Sequence, residues 1–449
     1  MLFRSTAAGR AGRAISQERI TIKLLRLSHL HTFESLTTYR NYRLLWTGNF
    51  FSNSAQWLQL LSIGWLVREL TAGSSASVLQ VVIVGGLSTL PVLLVGPWGG
   101  VWGDRVDRRK LLMRIQTFMA VLAALFALLV ASDNELGLSD QLRVGLAYSY
   151  VLASGVCLAI AQPMRQALIA NTVPPEGFGN AYAANSLSIT GTRIFGPFVG
   201  GILIASLGFT ANFLVEAALY AAAVLVYLPM KTPFQRETPT RRRSPIPDFG
   251  EGLRFIRREK RIILTLILLG LIPNVVLHQV WFLLPVFTAD VLRREADVGG
   301  FLLSATGVGG FVSSVIIASI GFTFKKGPVA LASILASSIF VLLFALSPWL
   351  LPTYQLLPAL VMIGLMSMAQ SHYRTTAGTL IQLSTPDRFR SRVTSLASYG
   401  QGFVFPFSIL VGILAEFSGV VTAIIVLGLI GLVLSTFFTI RLGSVRQEP

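Results

Sequence analysis

The sequence is poor in charge, cysteine and histidine. Charged residues make up 13% of the 449 residues, against 53% hydrophobic residues, and the mean hydropathy is +0.67. A soluble domain needs a more polar surface, so this composition predicts a membrane protein. The single cysteine, Cys157, excludes a disulfide framework and a thiol metal site. Four scattered histidines leave little material for a catalytic metal centre, so we expect no metal.

Several functional motifs are also absent from the sequence. It contains no G-x-x-x-x-G-K-[ST] loop, so ATP drive within this chain has no support. The sequence has no cluster of His, Asp and Glu of the kind that an integral-membrane enzyme would need. We therefore expect neither catalytic residues nor a cofactor. The first 43 residues carry basic side chains but no apolar core with a small-residue cleavage site, which predicts a cytosolic tail rather than a signal peptide.

Long apolar runs are abundant instead. A membrane-spanning helix needs about 20 apolar residues, and such runs lie near 44–68, 78–102, 111–131, 142–164, 180–206 and 210–228. After a polar stretch they resume near 262–289, 300–322, 327–347, 350–373, 391–416 and 420–440. They lack the period-two alternation of membrane β-strands. The sequence therefore predicts an all-α integral membrane protein with twelve transmembrane helices in two pseudo-symmetric six-helix bundles.

These runs predict the domains: a cytosolic N-terminal tail (1–43), a six-helix half (44–228), a cytosolic linker with a helix on the membrane surface (229–261), a second six-helix half (262–440) and a cytosolic C-terminal tail (441–449). A degenerate repeat relates the halves, because Leu168 and Pro174 leave span four at the same spacing as Leu380 and Pro386 leave span ten. Parallel six-helix repeats are a transporter architecture.

The distribution of basic residues predicts the orientation. Of the 37 Lys and Arg residues, one falls within a span (Arg193) and four fall on the side opposite the N-terminus (Arg68, Arg143, Arg293 and Arg294), which leaves 32 on the N-terminal side. Cytosolic loops carry such an excess. Both termini are therefore expected in the cytosol, and the basic character requires no nucleic-acid partner.

The segment "GDRVDRRK" (103–110) places six charges between two apolar runs. Positive-inside anchoring explains its bases but leaves the two acids unexplained. A carboxylate at the membrane edge can face a helix N-terminus or an arginine, and a pairing that forms in one conformation only would suit a gate. The candidate loop residues are Gly100, Asp104, Arg105, Arg108 and Arg109.

With "GVWGDRVDRRK" (100–110), the chain resembles the major facilitator superfamily over roughly residues 33–441. The segment is similar to that family's loop signature G-x-x-x-D-R-x-G-R-R, with Asp107 in place of the usual glycine. Together with "PMRQAL" (163–168) and "YRNYRLLWTGNFFSNSAQWLQ" (39–59), it resembles the subgroup of the enterobactin exporter and macrolide-efflux-like proteins. The resemblance implies a transporter with a central cavity lined by spans one, four, seven and ten.

A second segment, "GTRIFGPFVGG" (191–201), resembles the core of the span-five signature of family exporters, although Ala183 and Thr192 replace its upstream glycines. The resemblance implies a kinked helix that seals one side of a cavity. The alternative is a Gly/Pro packing face, which is common in membrane bundles. The residues concerned are Gly196, Pro197, Gly200 and Gly201.

Polar stripes mark spans one and seven. Asn49, Asn53 and Gln56 recur at helical spacing, as do Asn274, His278 and Trp281 beside Pro273. Amides facing lipid would be costly, so we expect both stripes to face inward, either to contact a ligand or to form interhelical hydrogen bonds.

Two ionisable residues lie within spans, Arg193 in span five and Glu216 in span six. Such residues are functional candidates. Arg193 could bind an anionic substrate or hold Glu216 as a structural pair, and Glu216 could instead carry protons. Sequence reasoning leaves these alternatives open.

The leading hypothesis is a secondary transporter that exports siderophore-, macrolide- or drug-like molecules by proton antiport through alternating access. The alternatives are uptake of a nutrient or lysophospholipid, or a non-transporting receptor on the same fold. We expect a multi-pass protein of a bacterial plasma membrane. Its partners would be a small-molecule substrate and the lipid bilayer, with no obligatory protein partner and the proton gradient as energy source.

Overall fold

The computed structural model describes residues 34–95, 106–132, 137–234, 253–257, 261–320, 326–386 and 400–441, together with Phe389, Val393, Leu396 and Ala397. This part of the chain is helical, without strands. A short helix, Glu34–Thr38, precedes the long ones. The first half of the chain then contains α1 (Arg40–Leu70), α2 (Ser77–Leu87), α3 (Arg108–Ala131), α4 (Asp140–Thr172) and α5 (Phe178–Tyr227).

The second half begins with α6 (Arg261–Leu271) and α7 (Gln279–Val286), which π-helical turns at Ile272–Val276 and Phe287–Val291 extend into one rod. It continues with α8 (Ala296–Ile320), α9 (Lys326–Leu350), α10 (Leu356–Ser384), α11 (Val404–Ser418) and α12 (Val420–Arg441). Single 3₁₀ turns precede α5, α10 and α11.

Ten helical stretches in the described residues are long and apolar enough to cross a bilayer. They differ from the twelve predicted spans at two places. The polar helix α1 is not among the ten, and Pro175–Tyr227 counts as one stretch. That stretch contains a non-helical residue, Gly208, at φ 80° and ψ 179°. Because the turn needs a positive φ, glycine is the residue it favours.

Two helices extend well past the apolar runs that predicted them. The run at 142–164 belongs to α4, which ends at Thr172, and the run at 350–373 belongs to α10, which ends at Ser384. Helical hydrogen bonds continue regardless of hydropathy, so the end of an apolar run does not mark the end of a helix.

The two halves meet along two helix pairs with close backbone approach. In α2 and α11, a Cβ on Gly412 would lie 3.3 Å from the Cα of Leu79. In α5 and α8, a Cβ on Gly201 would lie 3.1 Å from the Cα of Gly300. Small residues permit this approach in membrane helices. Apolar side chains on the outside stay exposed, as a lipid-facing surface requires, for example Leu225 at 66%.

Candidate functional site

The loop predicted to act as a gate is only partly described. Gly100, Asp104 and Arg105 lie outside the described residues, so their roles stay predictions. The second acid of the segment, Asp107, is the N-cap of α3 and accepts a hydrogen bond from the backbone N–H of Lys110 at 3.1 Å. This carboxylate therefore satisfies one of the free donors at the start of the helix.

The two arginines of the same segment tie α3 to its neighbours. Arg108 donates to the side-chain oxygen of Asn171 at 3.2 Å, near the end of α4. Arg109 donates to the carbonyl oxygen of Tyr227 at 3.1 Å and also to that of Leu228, where α5 ends. Because the last carbonyls of a helix lack partners, a guanidinium is a suitable cap for them. Both contacts stay within the first half of the chain.

The span-five segment forms a packing face with two partners. A Cβ on Gly196 would lie 2.6 Å from the Cβ of Trp57 in α1. A Cβ on Gly201 would lie 2.8 Å from the carbonyl oxygen of Ala296 in α8. Since α8 belongs to the other half, this face also packs against the other half. The four predicted residues are all buried: Gly196, Pro197, Gly200 and Gly201.

In the first polar stripe, every amide already has a protein partner. The Tyr227 hydroxyl donates to Asn49 Oδ1 at 2.9 Å. Arg165 Nη1 donates to Asn53 Oδ1 at 2.8 Å. Gln56, in the amide orientation that satisfies both groups, accepts from the same guanidinium at 3.2 Å. The stripe thus makes interhelical hydrogen bonds, one of the two expected roles.

Arg165 and Arg374 are the residues that sequence reasoning missed. The predicted spans four and ten end one residue before each of them, so both were assigned to the cytosolic side of the membrane as loop residues. The structure places both inside helices, α4 and α10, rather than in loops. Arg165 is 4% exposed, and its Nε has no hydrogen-bond partner among the described residues. The useful signal would have been an arginine within one or two helical turns of the end of an apolar run, because the helix can continue beyond that run.

The second polar stripe connects two arginines. Arg374 Nη2 donates to Asn274 Oδ1 at 3.0 Å. One turn further along, the His278 ring lies 4.3 Å from that of Trp281, measured between centroids. The guanidinium of Arg193 lies 4.4 Å from the Trp281 ring centroid, a cation–π distance. Asn274 therefore contacts one arginine and Trp281 contacts another, with His278 between them in the sequence.

Arg193 itself bridges the two halves. Its Nη2 donates to the hydroxyl of Ser367 at 2.8 Å and its Nε to that of Thr306 at 3.3 Å. Those residues lie on α10 and α8, whereas Arg193 lies on α5. On its other side are Trp57 and Trp281, with guanidinium-to-centroid distances of 5.9 Å and 4.4 Å. Its surroundings are therefore hydroxyls and aromatic faces from both halves.

Glu216 lies elsewhere, enclosed in the first half. Its side chain is fully buried, and its Oε1 accepts from the Tyr150 hydroxyl at 2.6 Å. The Phe126 and Phe213 rings pack against that tyrosine, with centroids 4.5 Å and 5.9 Å away. Its other oxygen has no partner among the described residues. The Arg193–Glu216 ion pair, one of the alternatives from sequence, is thus not formed in the described part of the chain.

A cavity of about 220 Å³ opens beside the second stripe. Asn274 and Arg374 belong to its wall, which reaches the exposed side chains of Gln382 and Gln401. A smaller cavity of about 40 Å³ lies beside Gln56 and Arg165 in the first half. An arginine and an amide border each cavity, so the available chemistry is hydrogen-bond donation and positive charge.

The chain matches known proteins over most of its length. The profile of the family described as transmembrane secretion effector matches residues 33–448. The staphyloferrin A transporter of Staphylococcus aureus is 22% identical over 389 residues, which cover 85% of this chain and 93% of that protein. The enterobactin exporter of Shigella boydii is 24% identical over 374 residues, 82% of this chain and 83% of that protein.

The crystal structure of a D-xylose–proton symporter superposes on this chain with a TM-score of 0.68. The match covers 88% of this chain and 95% of the symporter at 15% sequence identity. At that identity the likeness shows a shared fold.

Proposed function

Because the chain belongs to the transmembrane secretion effector family of the major facilitator superfamily, we propose that it exports small organic molecules of siderophore, macrolide or drug type across the plasma membrane. The family and the relatives are transporters rather than enzymes, and the chain is a multi-pass membrane protein with bacterial relatives. The names of the relatives, a staphyloferrin A transporter and an enterobactin exporter, support cargo of siderophore type.

The proposal includes twelve transmembrane helices in two bundles, with both termini in the cytosol. The ten apolar stretches reach this number if α1, with 31 residues, also crosses the membrane and if α5 divides at Gly208. An unbroken helix of 50 residues would be about 75 Å long, more than twice the roughly 30 Å of a hydrocarbon core. The count of twelve helices, with α5 divided at Gly208, supports the predicted halves, 44–228 and 262–440, with the linker between them.

The proposal of alternating access rests on contacts between the halves that close one end of the molecule. Arg68, at the end of α1, forms an ion pair with Asp290, which follows α7. Glu416, near the end of α11, accepts a hydrogen bond at 3.0 Å from the backbone N–H of Leu79, in the first turn of α2. In the predicted orientation this end faces outward. These contacts must break when the outer side opens.

The cavity beside Arg374 supports an inward-facing conformation. It reaches the last turn of α10 and the 3₁₀ turn before α11, at the end of the molecule opposite the Arg68–Asp290 pair. Cargo would enter from the cytosol, contact the second polar stripe and leave after the halves rock about it. Inner-side opening and outer-side closure in one structure is what alternating access requires of an exporter's loading state.

Glu216 is the residue we propose for proton coupling. A buried carboxylate without a cationic partner is costly in a membrane. Within the described residues, the Tyr150 hydroxyl donates to one carboxylate oxygen and the second oxygen has no partner, so it can bind a proton. A proton that binds at Glu216 from one side and leaves to the other would couple the gradient to the conformational cycle.

Loss of the gene tests export against its alternatives. A strain lacking the protein should accumulate more of at least one compound from a panel of siderophores, macrolides and cationic drugs, and complementation should reverse this. Lower accumulation in that strain would instead indicate uptake. Binding of a compound to the purified protein without any change in cellular accumulation would indicate a receptor.

A further inference from the structure

Three arginines that lie inside helices have no carboxylate partner among the described residues. Arg165 is bonded to amides, Arg374 to an amide, and Arg193 to hydroxyls and aromatic faces. Among the acidic residues that the structure describes, Glu216 alone is buried, and its bond is to Tyr150. In the described part of the chain, the positive charge of these three arginines is therefore not paired with a carboxylate.

Two of these arginines form matching pairs in the two halves. Arg165 of α4 donates to Asn53 of α1 at 2.8 Å, and Arg374 of α10 donates to Asn274 at 3.0 Å. Asn274 also lies within a π-helical turn, a feature frequent at functional sites.

The choice of asparagine is informative. An aspartate at either position would neutralise its arginine, whereas an amide orients the guanidinium and leaves its charge in place. A cation inside a membrane protein is expensive unless an anion or water meets it. Arg374 is exposed to its cavity, and Arg165 Nε lacks a partner in the described structure. Both sites lack the same thing, an anion.

We infer that the cargo is an organic anion of carboxylate type, which Arg374 binds in the second-half cavity, while the charges of Arg193 and Arg165 add to the attraction. The inference rests on the proposed export function and names its substrate class. Guanidinium groups bind carboxylates through paired N–H donors. Apolar side chains that line the same cavity, such as Leu271, provide a surface for the organic part of the cargo. An organic cation of equal size is excluded by charge.

Binding to purified protein in detergent tests this inference without any need for transport. The probes are carboxyfluorescein and rhodamine 6G, dyes that share a xanthene ring system and carry opposite charge, and the measurement is fluorescence anisotropy. The wild type should bind carboxyfluorescein saturably and rhodamine 6G much more weakly. Arg374→Gln should weaken carboxyfluorescein binding at least about tenfold, the loss expected for a hydrogen bond to a charged group.

Two further variants separate binding from folding. Arg374→Lys keeps the charge and should bind more tightly than Arg374→Gln, with melting temperatures recorded for both. Arg294→Gln, an exposed arginine before α8, should bind as the wild type does. The inference is wrong if the wild type binds rhodamine 6G and not carboxyfluorescein, or if a folded Arg374→Gln binds the anion normally. Anion binding without flux in vesicles would refute export instead, and leave the site intact.

Discussion

A single hydrogen bond between the halves allows a quantitative prediction. The first residue before α2, Ala76, has no side chain that can cap the helix. Glu416 supplies that cap from the other half, with 3.0 Å between its Oε2 and the Leu79 nitrogen. Any opening of the outer end separates α2 from α11 and breaks this bond. Replacement of Glu416 by alanine should therefore destabilise the outward-closed state selectively.

The expected effect follows from the usual contribution of a helix N-cap. Loss of a capping side chain costs about 0.5–2 kcal/mol. Since tenfold corresponds to about 1.4 kcal/mol, Glu416→Ala should shift the closed-to-open equilibrium roughly 2- to 30-fold towards the open state. Asp107→Ala is the matched control, because Asp107 caps α3 within one half at 3.1 Å. It should lower the melting temperature and leave the equilibrium unchanged.

Spin labels on either side of this contact can measure the shift. Cysteines at the exposed residues Ser75 and Ser418, in a Cys157→Ser background, place one label beside each helix end. Pulsed dipolar spectroscopy should show a larger long-distance population in Glu416→Ala than in the wild type. Equal distance distributions for these two proteins, or a shift in Asp107→Ala of the same size, would refute the capping argument.

Three other substitutions are informative. Glu216→Gln should fold, since glutamine can still accept a hydrogen bond from Tyr150. Transport by this variant should no longer depend on the proton gradient, and transport with an unchanged pH response would contradict the coupling role. Gly201→Ala should impair outer closure, because its Cβ would meet the α8 backbone at 2.8–3.1 Å, whereas Gly191→Ala, with open space around it, should be neutral in the same distance measurement. Arg109→Gln should cost about 1.5–3 kcal/mol in thermal stability through the lost carbonyl caps of α5, and an unaltered melting temperature would contradict this.

Helical periodicity predicted the second polar stripe from its spacing. Asn274, His278 and Trp281 share one face by spacing alone, and in the structure Asn274 contacts Arg374 while the His278 and Trp281 rings contact each other. This spacing is a local property of a helix, so it can be recognised without knowledge of the rest of the fold. The same reasoning gave the first stripe its inward direction, but left open whether ligand or protein would satisfy its amides, and the protein does.

Partners distant in sequence could not be predicted in the same way. Glu216 meets Tyr150 across 66 residues, and Glu416 meets Leu79 across 337. Neither pair leaves a pattern in a single sequence. Arg165 and Arg374 were missed for another reason, because hydropathy locates the hydrocarbon core, while helices continue beyond it and can carry charge on an inner face.

Energised everted membrane vesicles provide the most direct test of proton-driven export. Vesicles from cells that produce the protein, with an acidic interior generated by respiration, should accumulate the cargo identified from the strain comparison. Accumulation should collapse when nigericin dissipates the pH gradient, and should be absent from vesicles without the protein. Accumulation only in right-side-out vesicles, or accumulation indifferent to the pH gradient, would contradict export by proton antiport.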